Sequence, residues 1–165
     1  MFELKSIQAD AIPAALERVE RYRLLNEPRV AQSICHDILA IDPDNHDALV
    51  GLVLSLTDSF AISTEVSSKA VLELIPRLAN DYDRLYYTGV IHERQAKARL
   101  TRAYPGANFD AYELLVEAMQ WFEQAEEAHP EGNADAILRW NTCARLIMNQ
   151  KLEARPTDDT PLMSE

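Results

Sequence analysis

The chain has 165 residues, 47% of them apolar and 26% charged, the balance of one globular domain with a sizeable core. A formal net charge of −11 repels nucleic acid and anionic membrane, both of which are bound through clustered Lys and Arg. Four glycines are too few for an all-β fold built on tight hairpins, and the longest apolar run, Ala48 to Leu54, is far short of the ~20 residues that cross a bilayer.

The first ten residues, Met1 to Asp10, have no basic start followed by an apolar stretch, so no secretory signal is expected and the chain reads as cytoplasmic. Ile12, Ala15, Leu16, Val19 and Tyr22 then recur at helical spacing, with Asp10 as the expected N-cap and Pro13 tolerated in the first turn. Asn26-Glu27-Pro28 ends this helix, and Pro28 suits the first position of the next. That second helix carries Ala31, Ile34, Cys35, Ile38 and Leu39 on one face. Asp42-Pro43-Asp44-Asn45 breaks the pattern, and Asn45 caps a third helix running to about Asp58. It is apolar almost all round, as expected of a helix in the middle of a stack.

After a looser segment, Ser59 to Ser63, a fourth helix is expected over Val66, Ala70, Val71, Leu74, Ile75 and Leu78, ended or kinked at Pro76. A long fifth helix follows from about 81 to 104, then the turn Pro105-Gly106-Ala107-Asn108. The sixth helix is predicted over 109–128 and the seventh over 134–151, with Asn133 as its cap. Residues 153–165 are a short, Pro-containing and mostly acidic stretch that reads as a disordered acidic tail, leaving 1–152 as the folded domain. Cys35 and Cys143 fall within apolar helical patterns and are expected as buried thiols.

Motifs for catalysis and metal binding are missing. Asp42 to Asp47 resembles the start of a calcium loop, but the sixth position is Asp47 where Gly is needed and the twelfth is Val53 where Glu is needed. His36, His46, His92 and His129 do not pair at i, i+4, and there is no nucleophile elbow, phosphate loop or dinucleotide fingerprint. The expectation is a protein that is not an enzyme and needs no cofactor or metal. Arg94, Lys97, Arg99 and Arg102 spread over about 200° of the fifth helix, which reads as a solvated face and not as a nucleic-acid stripe. Glu93 lies instead toward the apolar side, where a carboxylate needs a partner, and Arg139 or Arg145 of the last helix is the expected one.

Two of the breaks echo one another. Ile41-Asp42-Pro43-Asp44-Asn45 parallels Ala128-His129-Pro130-Glu131-Gly132-Asn133, and each Pro lies 12 residues after an Ala of the preceding helix, Ala31 and Ala118. The small residue lets antiparallel helices approach, the Pro ends the second helix and the Asn caps the next. On these residues, with Tyr22 before Ala31 and Phe122 and Ala125 after Ala118, the chain resembles the tetratricopeptide repeat family over about residues 11–150. It departs from the family in spacing: Pro43 and Pro130 are 87 residues apart, where two 34-residue repeats would give about 68.

The resemblance implies an all-α fold, a short right-handed α-solenoid of about three helix hairpins with the last helix as a cap. It also implies protein–protein interaction, as an adaptor or scaffold that binds a partner segment in a concave groove lined by the first helices. Carried over residue by residue, that groove holds Leu16, Glu20, Arg23, Val50, Leu54, Tyr86, Val90, Glu93 and Arg94, with Arg139 and Asn141 from the last helix. The set of Lys and Asn residues with which some family members hold a C-terminal carboxylate is not matched here. The acidity suits a basic partner, and self-association is left open. Two alternatives stand beside the adaptor: a cytoplasmic chaperone for one dedicated cargo, and an enzyme or an enzyme's accessory subunit.

Overall fold

In the computed structural model, which describes residues 1–157, the chain forms seven α-helices and two 3₁₀ turns, with no strand among the described residues. The helices are α1 (Ile12–Leu24), α2 (Pro28–Ile41), α3 (His46–Asp58), α4 (Ser68–Leu72), α5 (Asp81–Arg102), α6 (Ala107–Glu127) and α7 (Asp135–Gln150).

Most helix starts follow from single residues. Pro28 opens α2 after Asn26 has turned the chain with a positive φ of 59°. The Asn45 side chain accepts a hydrogen bond from the Ala48 N–H at 2.9 Å and opens α3. Asn80 does the same for α5 through the Asp83 N–H at 2.8 Å. Asn133 is not the expected cap of α7: the N-cap is Ala134, without a side-chain cap, and Asn133, one residue earlier, accepts from the Asp135 N–H at 2.9 Å. Between α5 and α6 the chain reverses through Ala103 (φ 52°) and Gly106 (φ 86°), two left-handed residues of which the glycine carries no Cβ penalty.

Three further expectations need correction. Asp10 is not an N-cap: it sits in the 3₁₀ turn Ala9–Ala11, and α1 begins without a side-chain cap. The fourth helix is much shorter than its apolar pattern, five residues followed by the 3₁₀ turn Ile75–Arg77. Pro76 is the reason, since it has no N–H to donate and its ring crowds the carbonyl of Leu72. The boundary drawn at residue 152 puts Arg155 in a disordered tail, whereas its guanidinium donates to Asp110 Oδ1 at 2.6 Å and lies 5.4 Å above the Phe109 ring. Residues 158–165 of that tail lie outside the described residues.

The apolar interior divides into three clusters in chain order. Val19, Ala31, Cys35, Ile38, Ala48 and Leu52 join α1, α2 and α3. Leu49, Val53, Phe60, Val71, Ile75, Leu78, Ile91 and Ala98 join α3, the α4 region and α5. Val90, Leu115, Ala118, Phe122, Ala125 and Cys143 lie in the third, among α5, α6 and α7. Contacts between elements follow the same order: α1 meets α3, α3 meets α5 and α5 meets α7, while α2, α4 and α6 each touch the two helices that flank them in sequence.

Both cysteines are free and fully buried, and burial pushes each thiol up to about 12. At pH 8 both are therefore protonated, and the thiolate is the form that reacts. Iodoacetamide at pH 8 is expected to leave Cys35 and Cys143 unlabelled in the native protein and to label both in urea. Labelling of either without denaturant, read by mass spectrometry, would contradict the burial described.

Candidate functional site

Helix α1 places Leu16, Glu20 and Arg23 on one side, spaced by four and three residues. Helix α3 places Asp47, Val50, Gly51 and Leu54 opposite them, and together with Glu17 and Val19 they line one open depression of about 390 Å³. Leu16, Val50 and Leu54 are half-buried and make its floor. Gly51 sets how closely the two helices approach: a Cβ there would stand 3.0 Å from Val19 Cγ1 and 3.3 Å from Cys35 Sγ. Glu17, Glu20 and Asp47 are exposed on the rim, none of them in an ion pair among the described residues. The one cation of the lining, Arg23, is turned to Asp58, its Nε donating to Oδ2 at 2.7 Å. The trough is thus apolar below and negative above.

A second depression, of about 310 Å³, begins on the other side of Arg23. Its lining includes Arg23 from α1, Asp58 at the end of α3, Arg94 and Lys97 from α5 and Arg139 from α7. Asp58 is shared: Arg23 donates through Nε to Oδ2 and through Nη2 to Oδ1 at 3.4 Å, and Arg94 Nη1 donates to Oδ1 as well. Beneath them Glu93 is fully buried. Its carboxylate accepts from Lys97 Nζ at 2.6 Å and from Arg139 Nη1 at 3.3 and 3.2 Å. Arg139 Nε also donates to the Tyr86 hydroxyl at 3.3 Å. Burial alone would lower the Arg139 pKa, but the adjacent Glu93 carboxylate and the Tyr86 hydroxyl together outweigh it and hold the guanidinium above its ordinary range. These are two cation–carboxylate–cation triads facing one hollow.

No protein-family model, curated protein or solved structure matches this chain. Of the residues expected in a groove, Leu16, Glu20, Arg23, Val50 and Leu54 come together in the trough. Arg94 and Arg139 come together with Arg23 in the second depression. Val90 and Glu93 are corrections: both are fully buried, Val90 in the third core cluster and Glu93 under its two cations. Tyr86 is half-buried, its ring 5.8 Å from Phe122, and serves the core more than a surface. Asn141 is half-buried on α7 and is part of the lining of neither depression.

The expected solvated face of α5 is also corrected, because two of its cations reach neighbouring elements and a third pairs within the helix. Arg94 reaches Asp58, Lys97 reaches Glu93 and Arg102 donates to the Phe60 carbonyl at 2.6 Å. The Glu93–Lys97 pair was visible as an i, i+4 spacing, and Glu17 and Asp47 as neighbours of the chosen trough residues. Asp58 gave no such signal, since its partners are 35 and 36 residues away.

Proposed function

We propose that the chain is a short tetratricopeptide-like array of helix hairpins with a right-handed turn, capped by α7, and that it acts as an adaptor. Its trough between α1 and α3 holds a basic amphipathic segment of another protein. The array is supported by the order of helix contacts and by three core clusters in chain order, since stacked hairpins bury their apolar faces only against neighbours.

The observation that carries the binding reading is the trough itself. Leu16, Val50 and Leu54 remain half-buried in an open depression, under three carboxylates that have no ion-pair partner among the described residues. An amphipathic helix supplies what is missing, apolar anchors at i, i+3 and i+4 for the floor and Lys or Arg for the rim. The volume, about 390 Å³, is enough for one or two side-chain anchors. Rim charges act mainly on association rate and salt dependence, so salt should weaken the complex.

The test uses a synthetic helical peptide with Leu at i, i+3 and i+4 and Lys elsewhere. Saturable binding is expected, weakened at least tenfold in a Glu17→Lys, Glu20→Lys double variant, with a Tm close to wild type because both side chains are exposed. Equal affinity for wild type and variant at low salt would sink this reading.

A further inference from the structure

The hollow beside Arg23 carries a positive charge balance. Four cations line it, Arg23, Arg94, Lys97 and Arg139, and among the described residues two carboxylates, Asp58 and Glu93, answer them. The local excess is two positive charges, in a chain whose net charge is −11. The cations come from three helices, α1, α5 and α7, so the excess is assembled by the fold. They are also held in place: Asp58 fixes Arg23 and Arg94, whose side chains are 21% and 22% exposed, and Glu93 fixes Arg139 and Lys97. Both triads keep donors in reserve. Arg94 Nε and Nη2 and Arg139 Nη2 have no acceptor among the described residues, and Lys97 has two further ammonium protons.

The geometry points to a binding site for a phosphate monoester dianion. A phosphate monoester carries close to two negative charges at pH 7, with a second pKa of about 6, and matches an excess of two. A single carboxylate would answer half of it. Fixed guanidinium forks suit the tetrahedral oxygens, which accept two parallel hydrogen bonds from one Arg. The hollow, about 310 Å³, is larger than one phosphate group and leaves room for whatever carries it. The site adjoins the trough through Arg23 but rests on its own charge balance, and its variants leave the trough's rim carboxylates untouched.

The probes are a short phosphoserine peptide, the same peptide unphosphorylated, inorganic phosphate and acetate, titrated calorimetrically into the full chain at low salt. The phosphopeptide is expected to bind saturably at pH 7.5 and more weakly at pH 5.5, where the second proton returns. Arg94→Gln and Lys97→Gln should each weaken it about tenfold, the size of one charge-assisted contact. Asp58→Asn should strengthen it, because it removes one of the two carboxylates and raises the local excess to three positive charges, while the Asn oxygen can still accept from the arginines; where that variant does not fold, the first two decide. Competition by inorganic phosphate identifies the phosphate group alone as the ligand, and peptide binding without such competition identifies a phosphorylated side chain; both support the site. Equal binding of the unphosphorylated peptide, equal competition by acetate, or affinity unchanged in Arg94→Gln and Lys97→Gln would overturn it.

Discussion

Gly89→Ala is expected to destabilise the protein by about 2 kcal/mol, although Gly to Ala inside a helix is ordinarily a gain. Gly89 is buried in the middle of α5, and a Cβ there would stand 2.6, 2.8 and 2.9 Å from Cε1, Cδ1 and Cζ of the Phe122 ring. The ring cannot retreat, because Phe122 is fully buried among Leu115, Ala118 and Ala125. Overpacking costs up to about 3 kcal/mol, and the better helix propensity of alanine returns about 1. In a chain of this size the Tm should fall by roughly 4–8 °C. Adding Phe122→Leu should make the two changes strongly non-additive, the larger loss being that of Phe122→Leu alone. A Tm for Gly89→Ala at or above wild type would mean that α5 and α6 do not meet at this residue.

The second large effect is asymmetric. Arg139→Leu is expected to cost about 3 kcal/mol, the low end for breaking a buried pair, because Lys97 still holds one oxygen of Glu93. Glu93→Leu should cost less. The carboxylate is fully buried and cannot reach water, whereas Arg139 and Lys97 are 30% and 45% exposed and can turn outward when it is gone. With both residues replaced by leucine, the loss should be smaller than the sum of the two. Urea unfolding measures all three. Near-neutral behaviour of Arg139→Leu would show that Lys97 alone suffices, and equal costs for the two single variants would remove the asymmetry.

How far these features could be read from residues alone depended on their range. Local chemistry was legible: Asn45, Pro28 and the Pro105–Asn108 turn mark boundaries that the chain uses, because caps and prolines act within a few residues. The apolar pattern at Val66 to Leu78 misled, since it matched a helix that Pro76 does not allow to close. The need of Glu93 for a partner followed from its place on an apolar face, and Arg139 was among the candidates. Val90 was misplaced for a different reason. Its groove position came from a repeat spacing, but α5 runs for 22 residues and packs this part of its surface into the cluster formed with α6 and α7. Asp58, which joins Arg23 to Arg94, was illegible because nothing near it in sequence announces a contact that only the packing of α1, α3 and α5 creates.

Photocrosslinking in the native host tests the adaptor reading most directly. A benzophenone amino acid would be placed at Glu17, at Glu20 and, as a control on an exposed position of α6, at Gln124. One discrete adduct shared by positions 17 and 20 is expected, abolished by Asp47→Lys and by high salt, and missing at position 124. Adducts at position 124 but none at the two trough positions, or a smear of many partners at all three, would contradict a segment held between α1 and α3.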